Sequence, residues 1–156
     1  MPAPDGPPIR PIAQNRRARH EYELLEELEC GIELKGTEVK SLRAGQGSIA
    51  EAYAHFRKGE LFLVGAHIPV YAHGNLHNHD PRRERKLLAH RRELAAWDRR
   101  VREKGVTVVP LALYFKGSKV KLSLALARGK KLYDKREAKR EKDDKRAMER
   151  AMMRRR

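Results

Sequence analysis

The chain has 156 residues, and its 36 Lys and Arg residues outnumber its 21 Asp and Glu residues, which gives a formal charge of +15 and a pI of about 10.3. This charge predicts a polyanionic partner, and the length suits one folded domain with extensions. Cys30 is the only cysteine, which excludes an intramolecular disulfide. The longest stretch without Asp, Glu, Lys or Arg, residues 61–79, is too polar to cross a bilayer. We therefore expect a cytoplasmic protein.

The N-terminal segment, residues 1–14, contains five of the eight prolines and no apolar run. We therefore predict a disordered, polyproline-like arm and no secretory signal. The next six residues, Asn15 to His20, contain three arginines, a histidine and an amide outside any apolar period. They are either a solvated chain end or a cluster that contacts phosphates and base edges, and the net charge favours the second interpretation.

The first half of the body contains one ambiguous element and two clearer ones. Residues 21–34 fit a helix or a strand equally well, and Gly31 weakens both. Residues 37–45 predict a short capped helix that ends at glycine. Residues 48–57 and 61–64, joined by the turn dipeptide Lys58-Gly59, predict a β-hairpin.

The second half begins with the clearest helical pattern. Asp80-Pro81 is a typical helix start, and apolar residues follow at spacings of three and four until Gly105. Residues 106–115 and 120–126, joined by a turn at 116–118, predict a second hairpin. This order is typical of a mainly antiparallel β-barrel with helices over its ends, here over residues 15–128.

The C-terminal tail, residues 129–156, carries much of the charge. Between Arg128 and Arg156 there are 14 basic and 6 acidic residues, so this stretch holds +8 of the +15. It is rich in helix-forming residues and has few large apolar ones. We predict a tail that is disordered alone and becomes helical on a partner.

The sequence contains none of the common catalytic motifs. His67, His73, His77 and His79, with Asp80 next to them, are the one set that offers metal ligands, and a small metal-dependent nuclease is the corresponding alternative. Gly74 and the asparagines that accompany these histidines favour a solvated polar loop. We therefore expect no metal, no cofactor and no enzymatic activity.

Four separated blocks of sequence resemble the SsrA-binding protein (small protein B) family. They are Asn15–His20, Gly36–Gly45, Asp80–Leu88 and Gly129–Arg136, in that order. The resemblance implies an OB-like antiparallel β-barrel with flanking helices. It also implies a monomeric adaptor that binds the tRNA-like domain of transfer-messenger RNA (tmRNA) and brings it to stalled ribosomes in trans-translation. It favours a long strand over residues 22–34.

The resemblance also assigns residues to two RNA-binding regions. In the family, the residues that match Asn15, Glu29 and Leu88 matter for RNA binding. The expected tmRNA-binding set is Asn15, Arg16, Arg17, Arg19, His20, Glu29, Lys40, Arg85, Lys86 and Leu88. The expected tail set, which would enter the vacant mRNA channel and contact rRNA in the decoding region, is Gly129, Lys130, Lys131, Tyr133, Asp134, Lys135 and Arg136. The nearest rival is another β-barrel rRNA-binding protein, which the tail motif argues against.

Overall fold

A computed structural model of the protein describes residues 6–72, 78–130 and 142–152. Those before residue 131 form one mainly antiparallel sheet with helices beside it. The elements in chain order are β1 (Ile9–Gln14), α1 (Ala18–Glu21), β2 (Tyr22–Ile32), α2 (Gly36–Arg43), β3 (Tyr53–Arg57), β4 (Glu60–Val64), β5 (Arg85–Leu88), α3 (Arg91–Val101), β6 (Val106–Lys116), β7 (Lys119–Gly129) and α4 (142–152).

The strands pair in the order β1-β6-β3-β4-β5-β2-β7, and β6 also pairs with β7. The two longest ladders, β2–β7 and β6–β7, place β7 between β2 and β6. β6 pairs with β1 along residues 112–116 and with β3 at Val108. The same three neighbouring strands, β2, β7 and β6, therefore carry most of the residues discussed below.

The main core lies on one side of these strands because apolar residues alternate along them, and a small second cluster around Ala18 lies on the other side. Leu122, Leu124 and Leu126 of β7 are fully buried, and Leu61 and Leu63 of β4 face them in the same cluster. Each buried leucine contributes about 1.5–3 kcal/mol relative to an exposed one. The alternate residues of each strand point to the other, outer face.

The structure confirms both predicted hairpins and the short helix. At the first hairpin, Lys58 and Gly59 both have positive φ angles, 53° and 80°, as a two-residue turn requires. α2 ends before Gly45, whose φ is 77°. Residues 22–32 form a strand, so the ambiguity left by the residue pattern is resolved in the direction the family resemblance favoured.

The prediction of a disordered arm over residues 1–14 is wrong for Ile9–Gln14, which form β1. This strand pairs with β6 from Ile9↔Lys116 to Gln14↔Ala112, and the register shifts between Pro11 and Ala13. Proline is tolerated in an edge strand next to such an irregularity, because the missing N–H removes no central hydrogen bond. A high proline content therefore did not prevent pairing.

The prediction of a helix starting at Asp80 is also wrong. The Asp80 carboxylate accepts a hydrogen bond from the backbone N–H of Arg82 at 3.0 Å, which makes a turn. Residues 85–88 then form β5, and α3 begins only at Arg91. Leu87 fits the helical spacing by coincidence, and it is buried as part of a strand with period two.

The tail begins later than predicted. Gly129 is the last residue of β7, and the backbone N–H of Lys130 donates to the carbonyl oxygen of Glu21 at 3.1 Å. Residues 142–152 are helical, which agrees with their helix-forming composition and differs from the disorder expected for the tail alone. That the tail becomes ordered on a partner stays a prediction.

Candidate nucleic-acid interface

The outer faces of β1, β6, β7, β2 and β5 form one continuous surface, which we call the outer face. Antiparallel register partners lie side by side on one face of a sheet. One row runs from Glu29 of β2 through Ser123 of β7 and Ala112 of β6 to Gln14 of β1. The next row runs through Leu88, Gly31, Lys121 and Tyr114.

A shallow depression lies in this face where the row residues are small. Its volume is about 440 Å³, and it is lined by Gln14, Asn15, Arg16, Arg19, Glu27, Leu111, Ala112 and Ser123. Ala112 and Ser123 contribute little side-chain volume, whereas Arg16 and Arg19 are long and exposed. The depression therefore has a low floor and a basic rim.

Two local contacts set the basic rim in place. Asn15 donates a hydrogen bond from its amide nitrogen to the carbonyl oxygen of Pro110 at 3.0 Å, which holds the end of β1 against β6. Ala18 of α1 is buried against Ala125 and Ala127 of β7. With Ala18 held down, its neighbours Arg17, Arg19 and His20 project into solvent. Arg19 also approaches the Glu27 carboxylate at 3.5 Å.

Glu29 lies in the middle of the outer face and is held by two donors from β6. The Tyr114 hydroxyl donates a hydrogen bond to one carboxylate oxygen, and the Lys116 ammonium donates to the other at 3.1 Å. The hydrogen bond from Tyr114 lowers the pKa of Glu29, partial burial opposes this, and Lys116 lowers it further. Burial, together with the Glu29 charge, raises the pKa of Tyr114. Glu29 is therefore an acceptor-only carboxylate at neutral pH, beside a protonated tyrosine.

Leu88 is an exposed apolar residue on the outer face. It is 49 % exposed, because it points to the outer face while its neighbour Leu87 points into the core. It lies over Gly31, where an added Cβ would meet the Leu88 Cβ at 3.5 Å. A groove of about 410 Å³ beside it is lined by Leu34, Val39, Val120, Lys119 and Lys121 among others. An exposed leucine flanked by lysines suits an unstacked base and its phosphate.

The prediction that Arg85 contacts RNA is wrong, because its side chain is fully buried. Its guanidinium donates to the Glu38 carboxylate and to the carbonyl oxygens of Ala66 and Pro81, both at 3.1 Å. Glu38 is buried as well and also accepts from Arg83 at 2.6 Å. Arg85 therefore joins β5 to α2. Its neighbours in the sequence are also basic, so the sequence does not show that this arginine is buried.

The remaining predicted basic residues are accessible but lie apart from the depression. The Lys86 ammonium donates to Glu60 at 3.1 Å on the neighbouring strand. Lys40 is exposed on α2, and its ammonium lies 5.6 Å from the centre of the Tyr71 ring. The structure thus brings together Asn15, Arg16, Arg19, Glu29 and Leu88 on the outer face, and it does not place Lys40 or Lys86 at the depression.

Comparison with known proteins identifies the family. The family model described as SmpB protein matches residues 12–154. The chain belongs to the SmpB family. It is 52% identical over 152 residues to the SsrA-binding protein of Kineococcus radiotolerans, covering 97% of this chain and 96% of the relative. It is 54% identical over 145 residues to that of Thermobifida fusca, covering 93% and 91%.

A solved structure of an SmpB protein is also similar to this chain. It is described as "tmRNA-SmpB: a journey to the center of the bacterial ribosome", and one of its chains matches with a TM-score of 0.64 and 52% sequence identity. The match covers 78% of this chain and 86% of that chain. The mainly β architecture described above is therefore that of the SmpB family.

The described histidines of this SmpB chain do not form a metal site. His79 is buried, and its two ring nitrogens lie 2.9 Å from the Thr37 hydroxyl and 2.8 Å from the Ile68 carbonyl oxygen. His73 and His77 lie outside the described residues. Within residues 6–72, 78–130 and 142–152, no group of three or more His, Cys, Asp or Glu residues could hold a metal ion. No described helix is long and apolar enough to cross a membrane.

The predicted tail set is described only at its start. The Lys130 ammonium donates to the carbonyl oxygen of Arg19 at 3.2 Å, so the tail leaves the body beside the basic rim. Lys131, Tyr133, Asp134, Lys135 and Arg136 lie outside the described residues.

Sequence reasoning missed four outer-face residues: Tyr114, Lys116, Lys121 and Ser123. They were assigned only to a hairpin. The period-two alternation of β6 and β7 indicates that they lie on the outer face, because each of them is next to a core residue. The polar face of that alternation was available from the sequence as a candidate surface.

Proposed function

We propose that this chain is an RNA-binding adaptor whose outer face binds the tRNA-like domain of tmRNA. One observation carries the proposal: Asn15, Arg16, Arg19, Glu29 and Leu88, which are far apart in the sequence, lie on one face of a sheet. Membership of the SmpB family and likeness to a structure described as tmRNA-SmpB support it.

The chemistry of the outer face suits folded RNA with unpaired nucleotides. Arginines at the rim form bidentate hydrogen bonds with phosphates and position the RNA. Glu29 repels phosphates, so it is useful only where it accepts hydrogen bonds from base N–H groups. Leu88 supplies an apolar contact for a splayed base. The adaptor acts by binding and needs no catalytic group.

The strand order is consistent with an OB-like barrel. Because β6 pairs with β7 as well as with β1 and β3, the pairings lead from β6 through β3, β4, β5 and β2 to β7 and back to β6. Small barrels of this kind commonly bind RNA on one face. We propose that the adaptor works as a monomer in the cytoplasm.

The tail is proposed to contact a second RNA. The stretch from Arg128 to Arg156 has a net charge of +8. Lys130 is anchored next to Arg19, so the tail begins beside the basic rim of the outer face. We propose that residues 131–156 enter the vacant mRNA channel of a stalled ribosome, where Lys131, Lys135 and Arg136 contact rRNA phosphates and Tyr133 stacks on a base.

Binding of the purified full chain to the tRNA-like domain tests the outer face. The double variant Arg16→Gln/Arg19→Gln removes two charges from the rim. The control Arg99→Gln/Arg102→Gln removes two exposed charges at the C-terminal end of α3. We expect the rim variant to lose affinity and to lower the salt slope by about 0.7–0.9 for each lost phosphate contact, while the α3 variant binds as the unaltered chain does. Equal losses in both variants would mean that charge alone, and not this face, carries the binding.

A truncation after Lys130 separates the two sites without cutting β7. We expect it to bind the tRNA-like domain normally and to fail in a reconstituted ribosome-rescue reaction. Loss of RNA binding together with rescue would contradict the division into two sites.

A further inference from the structure

We propose that Tyr114 and Lys116 are positioning residues for Glu29, and that the carboxylate they hold binds the Watson–Crick edge of an unpaired guanine in the RNA. The inference rests on the proposed function and names the base that the outer face selects.

The geometry fixes the carboxylate plane. Each oxygen of Glu29 accepts one hydrogen bond from β6, one from the Tyr114 hydroxyl and one from the Lys116 ammonium at 3.1 Å. Both donors reach across β7, which is possible because Ser123, the β7 partner of Glu29, is small. A carboxylate has about four lone-pair positions, and two are used here. Each oxygen therefore keeps one position at which it can accept a hydrogen bond from a ligand.

The charge restricts the ligand. Glu29 is ionised at neutral pH, since the bond from Tyr114 lowers its pKa against the opposing effect of burial. It can only accept hydrogen bonds, so its ligand must present donors. Phosphate presents none at neutral pH, and among the four bases only guanine has two adjacent N–H donors, N1–H and N2–H, on its Watson–Crick edge. A bidentate, charge-assisted pair is the strongest arrangement available to this carboxylate.

The neighbouring depression offers room for the base. Its floor at Ala112 and Ser123 is low, and its volume of about 440 Å³ exceeds that of a single base. The planar guanidinium of Arg19, on the rim, is a surface on which an unstacked base can lie. An unpaired guanine seated here would place its edge toward Glu29, which is the β2 register partner of Ser123 on the floor of the depression.

Inosine substitution in the RNA tests the proposal. Inosine differs from guanosine only by the missing N2 amino group of the base. Each unpaired guanine of the tRNA-like domain is replaced in turn, and binding to the full chain is measured. We expect one position at which the unaltered chain loses about tenfold to a hundredfold in affinity, the range for one hydrogen bond to a charged group.

The variant Tyr114→Phe tests the positioning role. It removes one donor and keeps the ring, and Tyr53→Phe, at an exposed tyrosine on β3, is the matched control. We expect Tyr114→Phe to bind the guanine RNA more weakly and to lose most of the preference for guanine over inosine, while Tyr53→Phe keeps both. A purely structural role for Tyr114 would lower both affinities equally and keep the preference, which would overturn the positioning claim.

Two other results are decisive and distinguishable. If the unaltered chain prefers the tRNA-like domain to an unrelated hairpin but no inosine substitution matters, the guanine inference fails and the proposed function stands. If it binds both RNAs equally, the proposed function fails, and the inference fails with it.

Discussion

Replacing Glu38 by glutamine would disrupt the buried ion-pair cluster that joins α2 to β5. Glu38 and Arg85 are both fully buried, and the Glu38 carboxylate accepts hydrogen bonds from Arg83, from Arg85 and from the backbone N–H of Lys35. Glutamine keeps the shape but leaves the Arg85 guanidinium buried without its counter-charge. Removing one partner of a buried pair costs about 3–5 kcal/mol.

That loss is large for a body of this size. Native domains are stable by about 5–15 kcal/mol, so a loss of about 3–5 kcal/mol removes at least about a fifth of that stability. At about 4 °C for each kcal/mol in a domain of roughly 100 residues, the melting temperature should fall by about 12–20 °C.

Urea unfolding followed by tryptophan fluorescence measures the effect directly. Trp97 is the only tryptophan and is 3% exposed, so its emission reports on the folded core. Glu60→Gln is the matched control, because Glu60 pairs with Lys86 at 3.1 Å on the surface, where such pairs contribute about 0–1 kcal/mol. If Glu38→Gln and Glu60→Gln lose equally little stability, the reasoning about the buried cluster is wrong.

Three further results are expected. Burial raises the pKa of Glu38, but the hydrogen bonds from Arg83, Lys35 and Arg85 outweigh burial, so the pKa in the folded chain is below its ordinary value. The unfolded chain therefore binds a proton at Glu38 more readily than the folded chain does. The contribution of Glu38 to the free energy of unfolding should be complete above pH 4.5, its ordinary pKa, and should decrease as the pH falls below that value. A Glu38→Gln chain that loses as much stability in acid as the unaltered chain would contradict this. Burial raises the pKa of the Cys30 thiol to about 12, so a thiol reagent at pH 8 should label Cys30 only in urea; labelling of the folded chain at the unfolded rate would refute it. Leu88→Ala should change stability by less than about 1 kcal/mol, because the side chain is half exposed, yet weaken binding to the tRNA-like domain by about tenfold; unchanged binding would remove Leu88 from the interface.

The sequence predicted elements well where pattern and turn chemistry agreed. The hairpin at Lys58-Gly59 and the helix that ends at Gly45 combine a local turn with an apolar period, and both are confirmed. Residues 22–32 were decided by the family resemblance, because their pattern fits two periods.

The errors have a tertiary cause. β1 forms because an edge of β6 is available for pairing, which no local feature of residues 9–14 indicates. Arg85 alternates with Leu87 on the buried side of β5, and a charged residue in that position disguises the strand as part of a basic helix. The partner that makes its burial possible, Glu38, lies 47 residues away. The Tyr114–Glu29 contact spans 85 residues of sequence. The sequence therefore indicated Glu29 through the family resemblance and did not indicate that β6 positions it.

The RNA that copurifies with the chain tests the central claim most directly. A tagged full chain and its Arg16→Gln/Arg19→Gln variant are expressed in bacteria, crosslinked to RNA, purified at moderate salt and sequenced. The account predicts that tmRNA is strongly enriched over tRNA and rRNA with the unaltered chain and that this enrichment falls with the variant. An RNA population that is the same for both chains, or one without enriched tmRNA, would contradict it.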